Sequence, residues 1–320
     1  MDAPRVVLSH EFPPETTGTL DDLAATIRSR LPDVDLRRAA DFDESVSLAH
    51  DGDVLIEHGL YDAHLETADS LAWVQSLSSG ANRYDLDRLE ARGIALTTVS
   101  GVHGRPIAEQ ILTYLLAFER NLLRGIRQQE RREWRRYSAG ELGERVVGVV
   151  GMGSIGGRFA TLADALGMTV LGVRRNPAET HASVDEVYGP GDLHHVLGRA
   201  DYAVLACPLT DATRGLIGQA ELSSLGNAGV LVNVSRGAVV DQSALERVIQ
   251  TGDLRGAALD VFETEPLPPE SPLWQQSNVI VTPHNAGASP HFPGRCADIF
   301  AENYRHFVAG ELDRMQNRVV

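Results

Sequence analysis

The stretch from residue 146 to 166 constrains this chain more than any other. Five apolar residues, Val146-Val147-Gly148-Val149-Val150, run into Gly151-Met152-Gly153-Ser154-Ile155-Gly156, and helical apolar spacing follows over 159–166. A buried strand, a G-x-G-x-x-G turn and a helix, in that order, make the first βα unit of a dinucleotide site. Gly151 permits the tight turn, Gly153 lets a pyrophosphate approach the backbone, and Gly156 lets the helix pack against the strand. The helix start at Ser154 and Ile155 offers amides to the phosphates. A chain with 30 glycines produces this spacing by chance, so the flanking strand and helix carry the weight.

Apolar strands recur downstream at 170–173, 202–206, 230–234, 257–259 and 279–281. Six buried strands with helix-length connections predict a doubly wound parallel sheet. Upstream, strands at 6–8, 54–56, 73–77 and 94–97 flank helical segments, among them 20–31 with Asp21 and Asp22 at its positive end. The chain's 320 residues suit two domains. A long helix is expected from Pro106 through Ile107, Ile111, Leu115, Phe118 and Leu122. Its extra apolar positions, Leu112 and Leu116, lie near an arginine-rich stretch at 124–136. They fit a contact between subunits, as in a homodimer, and equally packing within one chain.

The residues at the end of the second strand of this unit bear on the choice of dinucleotide. An acid there would accept the ribose hydroxyls of NAD. Here the chain reads Val173-Arg174-Arg175-Asn176. Two arginines match a 2′-phosphate, so NADP(H) is the expected cofactor. NAD(H) is possible if other contacts hold it.

The formal net charge of −15 disfavours nucleic acid and anionic membrane as partners. All 29 basic residues are arginine. The absence of lysine fits adaptation to high salt and also GC-rich coding. No apolar run approaches a membrane span, and the first residues do not read as a secretory signal, so a cytoplasmic address is expected. Two cysteines, Cys207 and Cys296, argue against a disulfide framework and a thiolate metal cage. The His58/His64 and His194/His195 pairs lack convincing partner ligands, so no metal site is expected.

Three downstream strands end in reactive polar residues: Asn233-Val234-Ser235-Arg236-Gly237, Asp260 through Glu265-Pro266, and Thr282-Pro283-His284. Parallel strands gather these ends at the edge that carries the glycine turn. An Arg to grip a carboxylate, a His to deliver a proton and an acid to keep that His charged suit carbonyl reduction. Either Glu263 or Glu265 could be the acid.

With these four ordered motifs, the chain resembles the D-isomer-specific 2-hydroxyacid dehydrogenases along nearly its whole length. The resemblance implies that Arg236 binds substrate, that Glu265, directly before the proline, partners the histidine, and that His284 is the proton donor. It implies cofactor contacts at Val234, Ser235, Asp260, Cys207, Pro208 and Thr213. The amides of Ser79 and Gly80, in the turn Ser79-Gly80-Ala81-Asn82, would meet the substrate carboxylate. It further implies an α/β fold of two Rossmann-like doubly wound parallel-sheet domains with a cleft between them. Residues 1–99 plus 290–320 would form the substrate domain and 100–289 the dinucleotide domain, with hinges near 99–101 and 285–289. Two departures stand out: Arg174 replaces the usual acid, and Asn285 follows His284 where an apolar residue is commoner.

The expected activity is NADP(H)-dependent reduction of a small 2-ketoacid, such as glyoxylate or hydroxypyruvate, to the 2-hydroxy acid. A phosphoglycerate dehydrogenase is the alternative enzyme, although many of these carry a further C-terminal domain and only 36 residues follow His284. A dinucleotide-sensing, corepressor-like binding protein is the alternative from another class; the complete Arg236, Glu265 and His284 set argues against it.

Overall fold

The computed structural model describes residues 3–14, 16–81 and 83–320; Asn82 of the expected substrate turn lies outside them. The chain forms two compact units. One runs to His103 and resumes over Ala288–Val320; the other is Gly104–Gly287. These limits differ by a few residues from those expected, for a packing reason. Val99 and Val102 are buried in the first unit's core, and the Val102 carbonyl accepts a bond from Arg295 at 3.0 Å. Ser289 belongs there too, because its carbonyl receives the amide of Phe292 at 3.1 Å.

The first unit contains β1 (Arg5–Leu8), α1 (Leu20–Arg30), β2 (Asp35–Arg38), α2 (Phe42–Ala49), β3 (Val54–Glu57), α3 (Asp62–Thr67), β4 (Trp73–Ser76), α4 (Leu86–Ala91) and β5 (Ala95–Thr97). The strands are parallel in the order β2-β1-β3-β4-β5. Strand order therefore reverses between β1 and β3, and the loops leaving those strands open a crevice. β2 escaped the sequence reading because, at the sheet edge, it buries only Leu36 of Asp-Leu-Arg-Arg. The C-terminal helix Phe292–Val308 covers the sheet through Phe300, which stacks on Trp73 at 5.2 Å. The last residues run antiparallel along β5, where Val319 N donates to the Leu96 carbonyl at 2.8 Å.

The second unit begins with α5 (Gly104–Glu119) and α6 (Leu122–Glu130). Sequence periodicity predicts one helix through Leu122. The chain instead breaks at Asn121, in the left-handed region at φ 50°, and restarts with Leu122 on α6. There follow β6 (Val146–Val150), α7 (Ser154–Ala165), β7 (Thr169–Val173), β8 (Glu186–Tyr188), α8 (Leu193–Arg199), β9 (Tyr202–Leu205), α9 (Gln219–Leu225), β10 (Val230–Asn233), α10 (Gln242–Thr251), β11 (Gly256–Leu259) and β12 (Val279–Val281).

Its parallel sheet is ordered β12-β11-β10-β9-β6-β7-β8, with one strand, β8, beyond those expected. Like β2, β8 is a short edge strand with little buried apolar signal. Alternate residues face opposite layers: Val147 and Val149 pack with α5 and α7, whereas Val150, Leu205 and Leu231 pack with α8, α9 and α10. The switch point lies between β6 and β9, and it places the glycine turn. At the opposite edge of the sheet, Glu119 is buried and binds Arg145 at 2.8 Å and Tyr202 at 2.5 Å. Burial opposes its charge, but these partners and Arg255 outweigh burial and hold the carboxyl below its ordinary range. Among the described residues, no helix is long and apolar enough to cross a membrane.

Candidate active site

The three glycines of the turn after β6 have different reasons to lack a side chain. Gly151 sits at φ 99°, and a Cβ there would lie 2.7 Å from the backbone of Ala206 and Cys207. A Cβ on Gly156 would run into the Gly151 carbonyl. The fold itself requires both. At Gly153 a Cβ would meet nothing within 4 Å. Gly153 is exposed and precedes α7, whose first turn has no side-chain cap. Free first-turn amides beside a bare backbone fit a pyrophosphate that needs to come close. Ser154 and Ile155 begin that turn.

Arg174 and Arg175 leave β7 differently. Arg174 forms an ion pair with Glu179, and its Nη1 donates to the Glu179 carbonyl at 3.1 Å. Arg175 is exposed and has no ion pair among the described residues. Of the two, Arg175 is the cation available to a ligand phosphate. Glu179 is a competitor that sequence reasoning did not find, because its approach depends on how the 176–185 loop folds back.

Across the switch point, Cys207 is buried, and burial pushes its thiol up, which makes it a packing residue rather than a nucleophile. Thr213 closes the loop after β9: its hydroxyl donates to the Pro208 carbonyl at 2.6 Å and accepts from Thr210 N at 2.8 Å. Thr213 thereby shapes the Cys207-Pro208 segment.

Arg236 lies three residues beyond β10, and His284 three beyond β12, with β11 between them. Strands about 4.8 Å apart put these two strand ends roughly 10 Å from each other on one edge. Asn233 fixes the Arg236 turn. Its Oδ1 accepts from Ser235 N at 3.0 Å and Ser235 Oγ at 2.8 Å, and its Nδ2 donates to the Arg236 carbonyl at 3.1 Å. Val234 and Ser235 are buried in this turn, whereas Arg236 is exposed and has no carboxylate partner among the described residues. Its Nη1 donates to the Ser235 carbonyl at 2.6 Å, which leaves the rest of the guanidinium fork for a ligand.

His284 adopts φ 51°, a conformation uncommon outside glycine. Asp260 holds it there. The His284 amide donates to the Asp260 carbonyl at 2.8 Å, and the buried Asp260 carboxylate accepts from Thr282 Oγ1 at 2.5 Å, Asn285 N at 3.1 Å and Ala286 N at 2.9 Å. Because Thr282 donates to Asp260, it accepts from the buried Tyr114 hydroxyl. Three of the four acceptor positions on Asp260 are thus taken up by the turn, and one remains on Oδ2. The Asp260–Thr282–Tyr114 chain also went unread in the sequence. Its only signal was a hydroxyl residue directly after β12.

The geometry separates the two acids. Glu265 Oε1 accepts from Phe262 N at 2.9 Å, and Oε2 meets His284 Nδ1 at 2.7 Å. Glu263 turns away to accept from Gln242 N at 3.1 Å. With Nδ1 on a carboxylate, His284 keeps Nε2 for a reacting group, and 43% of its side chain is exposed. Ser79 and Gly80 lie in the other unit, exposed on the loop after β4. The two histidine pairs are otherwise engaged: His64 bonds Ser45 at 2.9 Å, and His194 pairs with Glu221 at 3.2 Å.

Comparison with known proteins shows the family. Residues 112–286, more than half the chain, match the family model described as D-isomer specific 2-hydroxyacid dehydrogenase, NAD binding domain. A glyoxylate reductase of Korarchaeum cryptofilum is 32% identical over 97% of this chain and 94% of its own. A D-3-phosphoglycerate dehydrogenase of Methanocaldococcus jannaschii is 29% identical over 92% of this chain but 57% of its own length. Among solved structures, a D-isomer specific 2-hydroxyacid dehydrogenase from Xanthobacter autotrophicus Py2, in complex with NADPH and MES, superposes with a TM-score of 0.82. The two share 28% identity over 99% of this chain and 98% of the other. A glycine turn at a switch point, a histidine paired to a carboxylate two strands from an open arginine, and these likenesses lead to one conclusion: the chain belongs to the D-isomer specific 2-hydroxyacid dehydrogenase family and is an NAD(P)-dependent oxidoreductase.

Proposed function

We propose that this enzyme reduces a small 2-ketoacid of the glyoxylate or hydroxypyruvate class to its 2-hydroxy acid and prefers NADPH. The observation that carries this reading is His284, fixed through Nδ1 on Glu265 with Nε2 free, on the same sheet edge as the unpaired Arg236. A bound nicotinamide would supply the hydride to C2. His284 Nε2 then donates a proton to the carbonyl oxygen, and Glu265 orients the ring through Nδ1. Arg236 grips the carboxylate and stabilises charge growing on the oxygen. Ser79 and Gly80, exposed on the loop after β4, are the first unit's candidates for substrate contact, as the family resemblance implies. The open acceptor on Asp260 suits a carboxamide N–H.

The NADPH preference rests on Arg175, an exposed arginine with no ion pair among the described residues, directly after Arg174, which stands where an acid would select NAD. The Xanthobacter relative binds NADPH, and the Korarchaeum relative is a glyoxylate reductase; both favour the proposal. The test is steady-state oxidation of NADPH and NADH with a panel of 2-ketoacids, including phosphohydroxypyruvate, for wild type and His284→Ala. Substantial NADPH oxidation with glyoxylate or hydroxypyruvate, abolished in the variant, is expected. Equal use of NADH, or near-normal turnover by the variant, would overturn the corresponding part of the proposal.

The working form we propose is a homodimer built on α6 and the arginine-rich segment after it. α6 buries no residue, and Leu122, Ile126 and the 98% exposed Trp134 present an apolar face. Sedimentation of Leu122→Glu/Ile126→Glu should show monomer where wild type shows dimer.

A further inference from the structure

The first unit carries a buried acid that the chemistry above does not use. Glu57 ends β3, is fully buried, and its Oε2 has no hydrogen-bond partner among the described residues. Its Oε1 lies 2.5 Å from the Tyr84 hydroxyl, which lies 2.6 Å from Ser76 Oγ. Ser76 and Tyr84 bracket the loop that bears Ser79 and Gly80, so the three side chains knot its two ends together. Ser76 Oγ also accepts from Ser78 N at 3.0 Å. A second tie crosses the same loop. Arg83 Nη1 donates to His58 Nε2 at 3.3 Å, which makes Nδ1 the protonated nitrogen, and Nδ1 donates to Ser78 Oγ at 3.3 Å. Ser79 and Gly80 themselves are exposed, and a Cβ on Gly80 would touch nothing within 4 Å. The tip has little packing at Ser79 and Gly80, while Ala81 packs against the core and the clasp ties the base of the loop.

We propose that Glu57 is a positioning residue for substrate: through Tyr84 and Ser76 it closes the clasp that sets Ser79 and Gly80 to receive a carboxylate. This rests on the 2-ketoacid reduction proposed above. The clasp needs Glu57 as the neutral acid. Burial raises its carboxyl to about 8, the Tyr84 bond opposes the rise, Glu11 after β1 adds to it, and Arg83 reduces it. Tyr61 and His58, from the segment leaving β3, are the other titratable groups around it. Neutral Glu57 donates from Oε1 to Tyr84, which donates onward to Ser76, and the orphan Oε2 is then a carbonyl rather than an unpaired donor. Ionisation turns the single Tyr84 proton to Glu57 Oε1, which takes it from Ser76, and leaves buried negative charge on an Oε2 that no donor among the described residues meets; the loop relieves this by opening. Because the native carboxyl is raised, the closed clasp is present below about pH 8 and is lost as pH rises through it.

Only the closed fraction binds, so KM for glyoxylate and Kd for oxamate should rise by about tenfold between pH 7 and pH 9, with KM for NADPH level. Glu57→Gln keeps a neutral buried group, so it should retain the neutral-pH KM and lose this alkaline rise. Tyr84→Phe should raise KM for glyoxylate at every pH and spare NADPH. In resting wild-type enzyme, infrared titration should show a carboxylic-acid carbonyl band that disappears near pH 8 and is missing from Glu57→Gln. The same alkaline rise in Glu57→Gln, or a wild-type KM in Tyr84→Phe, would overturn the proposal. Tyr84→Phe also decides the matter if Glu57→Gln fails to fold. If glyoxylate is not turned over at any pH, the activity reading fails, while oxamate binding and the infrared band still decide on the clasp.

Discussion

Replacing Glu265 by Gln isolates the feature on which the proposed chemistry depends. The amide oxygen can still accept from Phe262 N, so the loop keeps its anchor, but His284 Nδ1 no longer faces a charge. Two unit charges about 4 Å apart at an effective dielectric of about 20 attract by roughly 4 kcal/mol. The side chains of His284 and Glu265 are 43% and 35% exposed, and solvent screens the pair. A charge-assisted bond of this kind in a half-exposed site contributes about 1.5–2.5 kcal/mol. If that sum stabilises the proton-donating ring, losing it lowers kcat by about 10- to 70-fold. The assay is NADPH oxidation with saturating glyoxylate near neutral pH, with cofactor Kd followed by fluorescence. Glu263→Gln is the control, because Glu263 binds Gln242 instead. The expected result is a large kcat loss for Glu265→Gln, an unchanged NADPH Kd, and little effect of Glu263→Gln. A Glu265→Gln enzyme within twofold of wild type, or equal losses in both variants, would refute the reasoning.

Further outcomes follow from the cofactor turn, the arginine pair and the buried Glu119. Arg175→Ala should raise KM for NADPH at least tenfold, the cost of one charged contact of about 1.5 kcal/mol, and leave KM for NADH nearly unchanged. Glu179→Gln should improve NADPH binding by releasing Arg174; steady-state kinetics with both cofactors checks each. Gly153→Ala should leave the melting temperature within a degree or two and weaken cofactor binding, whereas Gly156→Ala should lower the melting temperature, since only the latter Cβ meets backbone. Glu119→Ala should cost about 1–3 kcal/mol in urea unfolding, because it leaves the buried Tyr202 hydroxyl without its acceptor and Arg145 with Asp201 alone. The native Glu119 carboxyl lies below its unfolded value, so its contribution is present above the unfolded value and is lost as pH falls through the native one. The stability difference between wild type and Glu119→Ala should therefore shrink in acid.

Much of the second unit was legible because buried parallel strands are continuous apolar runs, and each of its central strands supplied one. What the sequence concealed lies at edges and breaks. β2 and β8 pair on one side only and need little apolar surface, so their charged residues read as loop. The helix expected through Leu122 has the right spacing on both sides of Asn121, and periodicity cannot register a single left-handed residue. In the first unit, Glu57 is followed by His58 and Gly59 and reads as a polar loop start, yet it is the most deeply buried acid of its sheet edge.

That the candidate site residues share one sheet edge was legible for a related reason. Parallel topology delivers one strand end per crossover to the same edge, so an Arg, a carboxylate and a His at three successive strand ends must lie near one another. Which carboxylate meets the histidine depends on something spacing does not carry. Gly237, directly after Arg236, is packed so closely on the backbone of Phe262 and Glu263 that a Cβ would overlap it. That contact pins the start of the acid-bearing loop against the arginine turn. Glu263, at the pinned end, reaches only as far as Gln242, while Glu265, two residues on, returns one oxygen to Phe262 N and turns the other to His284. Asp260 sets the opposite side of the pair by holding His284 at its positive φ. His284 and Glu265 are therefore oriented by a glycine and an aspartate that need not touch substrate. Gly237→Ala should accordingly damage turnover as severely as loss of Glu265 itself.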